Sequence, residues 1–279
     1  MSSAKPVINK PIYLLKEGRL PPSIESILKK IIPKFIINAI SIFYPLANIF
    51  TYSRFLKENL GISFKEKVEI IKRAHIISKN VEGYHSQKEI FEIITEILKL
   101  SNLKGILVEA GCWKGASTCK LSIAAKLVNK KLYVFDSFEG LPEPDKKKEG
   151  KLFLEELYKK GLFKGSLDEV KNNVKRYGEI DNCIFIKGLF EKTMPSFDEN
   201  IAVAFLDVDY ASSTKICLKN LYPLIVPNGV IFSHDGHLPW VREIIFDDAF
   251  WQKEVKTKIP KITTKKNERI VRMKKQDSA

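Results

Sequence analysis

From residue 106 onward the sequence alternates between short apolar runs rich in Val, Ile, Leu and Phe and longer stretches with helical spacing. The runs fall at 106–110, 132–136, 183–187, 203–208 and 229–233, and the helical patterns at 116–128, 166–177, 212–224 and 240–250. Strands apolar at successive positions must be covered on both faces, and the intervening helices supply that cover. The pattern therefore predicts an α/β fold, Rossmann-like and doubly wound, with a mostly parallel sheet. Residues 254–264 and 269–274, about the Lys265-Lys266-Asn267 turn, predict a closing C-terminal antiparallel hairpin. Two helices, 64–78 and 86–100, precede the first strand.

With 279 residues and 44% hydrophobic content, the chain can bury one sizeable core and is neither disordered nor fibrous. Its formal charge of +14 is uneven: the last 24 residues carry nine Lys/Arg against two Asp/Glu. That tail reads as a solvated basic face or as a site for an anionic partner. The four cysteines, Cys112, Cys119, Cys183 and Cys217, have no CxxC spacing and read as small core residues in a reducing compartment. No signal peptide is expected at the start, and the expected location is cytoplasmic, or peripheral at the inner face of a membrane. Between Ile24 and Phe43 the apolar residues recur at steps of three and four, which predicts an amphipathic helix. Pro33, Lys34, Asn38 and Pro45 argue against a spanning helix. The apolar face across 24–50 needs the protein body, a second copy in a homo-oligomer, or a peripheral membrane contact.

The stretch GILVEAGCWKGAST, 105–118, is the first to carry chemistry. Ligands of open parallel sheets bind beyond the carboxyl ends of the strands, and Gly111 and Gly115 let the backbone turn there and approach a ligand closely. The spacing E-x-G-x-x-x-G lacks the third glycine of the dinucleotide fingerprint, which argues against a nicotinamide oxidoreductase. Glu109 would repel a pyrophosphate and attract an ammonium or sulfonium group, as in S-adenosylmethionine. Asp136, ending the second strand in LYVFDSFEGLP, can accept hydrogen bonds from ribose hydroxyls. Asp207 and Asp209 are expected to end the fourth strand and point to one side of it, with His234 and Asp235 ending the fifth. Three carboxylates and an imidazole on one rim could hold a hard divalent metal such as magnesium.

Five blocks in order, VEAGCWKGAST, FDSFEGLP, VKNNVKRYGEIDNCIFIKGLFEKTMP, FLDVDYASST and LKNLYPLIVPNGVIFSHDG, make the chain resemble the macrocin O-methyltransferase family across roughly 86–274. The family consists of metal- and S-adenosylmethionine-dependent enzymes that methylate sugar hydroxyls. The resemblance implies that Glu109 and the turn from Gly111 through Gly115 to Ser117 hold the methionine part. It likewise implies that Asp136 and Ser137 hold the ribose, Gly188 to Phe190 the adenine edge, and Asp207, His234 and Asp235 the metal. Asp207 and His234 are then the candidate catalytic residues. His234-Asp235-Gly236 departs from the Asp-Asp-aromatic sequence of many relatives. The chain then divides into a helical region at 1–83, which the resemblance does not explain, and a methyltransferase domain at 84–279, whose charged insertion at about 142–165 reads as a lid or as a solvated loop.

On these expectations the acceptor is a small molecule or glycan, and nucleic acid is not the expected partner. A base methyltransferase commonly carries an Asn/Asp-Pro-Pro-aromatic turn where this chain has DVDY. A non-catalytic membrane-surface module is the other alternative. His75, His85 and His237 carry no readable role, and Trp113 is expected to pack beside the cofactor turn.

Overall fold

The computed structural model describes residues 49–144, 159–264 and 269–276. The amphipathic stretch 24–43, the middle of the 142–165 insertion and the Lys265-Lys266-Asn267 turn lie outside these residues. Three helices lead in: α1 (Ile49–Lys57), α2 (Phe64–Asn80) and α3 (Gln87–Lys99). Both α2 and α3 start at a capping box, Ser63 with Glu66 and Ser86 with Glu89, in which serine and glutamate satisfy each other's backbone N–H groups.

The alternating part follows as β1 (Ile106–Ala110), α4 (Ala116–Leu127), β2 (Leu132–Asp136), α5 (Leu167–Tyr177), β3 (Cys183–Lys187) and a short α6 (Phe190–Thr193). Then come β4 (Ile201–Leu206), α7 (Ala211–Leu221), β5 (Ile225–Ser233), α8 (Pro239–Ile245), α9 (Asp248–Phe250), β6 (Lys261–Thr263) and β7 (Val271–Lys274). The sheet order is β3-β2-β1-β4-β5-β7-β6. Its first five strands run parallel, and β7 and β6 close it antiparallel, as the sequence pattern requires.

Alternation along the strands divides the core in two. Leu107, Val134, Phe205 and Phe232 face one cluster with Ile77, Ile94 and Phe55 of the leading helices, while Val108, Phe135, Ala204 and Ile231 face the other with Leu218, Val241 and Trp251. The leading helices thus cover one face of the sheet. The four cysteines are unpaired, three of them buried.

Two expectations need correcting. The fourth strand occupies 201–206 rather than 203–208, so Asp207 opens a loop; Asp209 has φ +60°, and the two-residue alternation that would align the two carboxylates stops at Leu206. The helix expected at 240–250 breaks after Ile245, because Asp247 accepts the Ala249 N–H at 2.9 Å and restarts the chain into a π-turn at Trp251–Val255. That turn uses up the start of the expected hairpin arm, leaving three residues in β6.

The sheet order reverses at β1, whose neighbours β2 and β4 leave on opposite sides, and a crevice opens there. The ladders run one residue past the strands: Gly111 donates to Phe135 O, Asp207 to Ala110 O, His234 to Leu206 O and Gly188 to Asp136 O, all at 2.8–2.9 Å. This lacing brings those four residues to a single rim. Gly111 has φ +83°, and a Cβ there would lie 2.0 Å from the Asp207 carbonyl oxygen. Gly61 has φ +70° with open space around it. Left-handed backbone costs an L side chain about 1–2 kcal/mol, so Gly61→Ala should lose about that much. Gly111→Ala should lose about 1–3 kcal/mol more, because the packed loop must also move. Urea unfolding midpoints compare the two, and equal losses would contradict the close approach.

Candidate active site

The rim opens into a cavity of about 1230 Å³, counting the solvent space at its mouth. Gly111, Ser117, Asp136, Ser137, Gly188, Phe190, Asp207, His234 and Asp235 line it, which brings together nine of the residues expected from sequence. Glu109 and Gly115 stand behind the wall. Gly115, at φ +83°, opens α4 and packs on Val170. Glu109 is fully buried and accepts the Thr118 hydroxyl at 2.6 Å, and among the described residues its Oε1 has no hydrogen-bond partner. Burial pushes its carboxyl up to about 7, although the hydroxyls of Ser117 and Thr118 pull the other way. A buried carboxylate with an idle oxygen is costly unless a cation or donor comes near it.

Asp136 organises the β1 turn from the neighbouring strand. Its Oδ2 accepts the Cys112 N–H and its Oδ1 the Phe138 N–H, both at 2.7 Å. Burial raises its carboxyl from the ordinary value against the pull of these N–H groups. Each oxygen keeps a lone pair for a ligand hydroxyl.

Across the cavity Asp207 stands between two imidazoles. His85 Nε2 lies 2.9 Å from its Oδ2 and His234 Nδ1 3.2 Å from its Oδ1. Ligand atoms of His85, Asp207 and His234 all lie within 4.8 Å of one another. Burial disfavours charge on each, but the outcome differs. The Asp207 and Glu89 carboxylates hold His234 well above the usual histidine range, whereas burial wins at His85 and lowers it. Asp207 is in turn held well below the carboxylate range by the two imidazoles. Asp235 is outside this trio. Its Oδ2 accepts the N–H groups of Val208 and Asp209, both at 2.9 Å, and burial together with the Asp207 charge pushes it up to about 7.

His85 is the main residue that sequence reasoning missed, and His237 also lines the cavity. The Ser86-to-Glu89 capping box was readable and marks His85 as the residue just outside a helix start, but nothing local shows that this start faces β4. Beside His85, Tyr84 stacks on Trp113 at 4.9 Å, with Phe163 edge-on to both. Trp113 therefore packs at the cofactor turn as expected. Trp113, Phe163 and Asp209 all have positive φ without being glycine, a strain that clusters at functional sites. The described ends of the 142–165 insertion meet at the cavity, where Leu141 N donates to Leu162 O at 2.8 Å.

Residues 78–265 match the model of the macrocin-O-methyltransferase (TylF) family. The fold is similar to that of the O-methyltransferase NovP, with TM-score 0.64 and 20% identity over 76% of this chain and 99% of that one. It is also similar to that of CalS11, a calicheamicin methyltransferase, with TM-score 0.55 and 13% identity over 75% of this chain and 92% of that one. No curated protein gives a significant match. The matched span covers both the glycine turn and the Asp207 centre, and the chain belongs to the macrocin O-methyltransferase family of S-adenosylmethionine-dependent O-methyltransferases.

Proposed function

We propose that the protein methylates a hydroxyl of a sugar or glycan and uses a divalent metal held by His85, Asp207 and His234. The observation that carries this is the convergence of those three residues on the cavity that Asp136 and the glycine turn also line. Family membership supports the sugar acceptor, and the aromatic wall of Tyr84, Trp113 and Phe163 offers apolar faces for one. The imidazole nitrogens lie 2.9 and 3.2 Å from the Asp207 oxygens, so His85, Asp207 and His234 are the side chains that would hold a cation here. Two nitrogens and one carboxylate favour manganese, zinc or iron over magnesium, which prefers oxygen throughout.

In this reading Gly111 and Ser117 border the methionine part of the cofactor, Asp136 and Ser137 the ribose, and Gly188 to Phe190 the adenine. Ionised Glu109 steadies the cofactor's positive charge from behind the turn. The bound cofactor supplies an electrophilic methyl group, and the bound metal lowers the proton affinity of the acceptor hydroxyl. What remains for the chain is to remove that proton. In this reading Asp235 accepts it at Oδ1, which is supported by the engagement of Oδ2 with two backbone N–H groups and by the residue's lying outside the three-donor cluster. His234, gripped by two carboxylates, is a poor base. A metal-independent version rests on the His85–Asp207 bond, which would leave His85 as an oriented base.

Asp136→Ala should weaken S-adenosylmethionine binding by about 1.5–3 kcal/mol, the range for hydrogen bonds to charged groups. Because Glu109 titrates at about 7 and its ionised form attracts the cofactor, affinity should rise with pH through that value. Calorimetry between pH 6 and 8 should show a change of up to about tenfold. Glu109→Gln should flatten the profile, and an unchanged slope would remove Glu109 from this role.

Asp207→Asn should abolish turnover and weaken metal binding, whereas Asp235→Asn should cut turnover by about 10²–10⁴-fold with metal affinity little changed. Chelator titrations of activity, paired with calorimetry of the metal, separate the two. Full activity in excess chelator would end the metal reading in favour of His85.

Among the described residues no helix is long and apolar enough to cross a membrane. Phe50 is 86% and Phe64 66% exposed at the start of the described chain, which supports a partner for the face at 24–50. Phe55 is buried against Phe91 at 4.9 Å, so a truncation that tests this must stop before α1. Deleting residues 1–48 should leave cofactor affinity within a few-fold and change either liposome flotation or the mass in solution. If neither moves, the segment has no such partner.

A further inference from the structure

His234 is 3% exposed, and among the described residues its Nε2 has no hydrogen-bond partner. The group that faces this atom is the Glu89 carboxylate, with Oε2 at 3.4 Å. We propose that Glu89 is a positioning residue for the metal centre, fixing the His234 ring so that Nδ1 is the nitrogen presented to Asp207 and the cation. This rests on the metal reading above. An imidazole exchanges its nitrogens for carbons when the ring turns over, so a ligating histidine needs a partner on the far nitrogen to hold its tautomer and orientation.

The aim of Glu89 is set by the helix start. The same Oε2 accepts the Ser86 N–H at 2.7 Å, and the Ser86 hydroxyl accepts the Glu89 N–H at 3.1 Å. The carboxylate therefore cannot swing from His234 without giving up its half of the α3 cap. His85 immediately precedes Ser86, so one capping box orients an imidazole on each side of Asp207: His85 through the backbone it anchors and His234 through the Glu89 side chain. The equivalent box at α2 shows the contrast. Glu66 accepts the Ser63 N–H at 2.7 Å on an exposed surface, with no histidine in its bonds. A cap alone does not call for the burial that Glu89 has, with 14% of its side chain exposed.

The test is a cobalt titration of the metal-stripped full chain, followed by calorimetry and by the visible absorption that reports nitrogen ligation. Glu89→Ala should weaken cobalt binding by about 10–100-fold, the usual effect of losing such a partner, while S-adenosylmethionine affinity stays as in the wild type. Glu89→Gln can still cap the helix and accept from Nε2–H, so it should bind cobalt within a few-fold of the wild type. Wild-type cobalt affinity in Glu89→Ala would overturn the positioning role and leave the metal reading standing. A Glu89→Gln variant as weak as Glu89→Ala would overturn orientation in favour of charge. Failure of the wild-type chain to take up cobalt would overturn the metal reading itself, and this inference with it.

Discussion

The site depends on how closely two loops pass at the switch point of the sheet. With no Cβ on Gly111, the turn after β1 can rest against the Asp207 carbonyl, and the same residues carry the ladder bonds that extend β1 and β4 beyond their strands. That contact sets the distance between two chemically distinct halves. On one side are the turn, Asp136 and the idle oxygen of Glu109. On the other is the Asp207 cluster. In-line transfer requires donor and acceptor to be held within near-contact distance, so a backbone contact between the halves does more for the geometry than any single side chain could.

Charge within the second half is arranged by contrast of environments. His85 and His234 are neighbours, with ring centroids 4.6 Å apart, and both touch Asp207, yet burial lowers one while two carboxylates raise the other. Glu89 approaches the far nitrogen of His234 at 3.4 Å and adds its charge to that of Asp207 there, whereas at His85 burial outweighs both carboxylates. On the proposed metal reading, a proton on His234 Nδ1 and a metal at the same atom would be alternatives, so uptake would release that proton. Asp235, one residue away, keeps an oxygen outside this exchange.

Much of this was legible in the sequence because it is periodic or local. The five parallel strands, the glycine turn and Asp136 follow from apolar runs and their punctuation, and the strand ends necessarily share a rim. Asp207, His234 and Asp235 came with those ends. What could not be read was any pairing across long separations. His85 and Asp207 are 122 positions apart, and no local pattern directs the start of α3 toward β4. The conformation of Asp209 was missed for a different reason: alternation was carried past the last ladder pair, into a loop where φ turns positive. The break after Ile245 hinged on one side chain, Asp247, capping a new turn.

The distribution of charge bears on what the cavity can admit. The chain carries +14 overall, yet the cavity is lined by Glu82, Asp136, Glu191, Asp207, Asp209 and Asp235 against a single guanidinium, Arg269. Low-dielectric walls focus such a field, so the crevice attracts a sulfonium or a divalent cation and opposes a polyanion. Glu82 is partly offset by Lys114 at 2.7 Å, but that pair lies at the aromatic wall rather than among the Asp207 donors. Arg269 excepted, the described basic residues from Lys256 onward lie away from this lining. An acceptor hydroxyl that reached Asp207 would belong most favourably to a neutral or cationic part of its molecule.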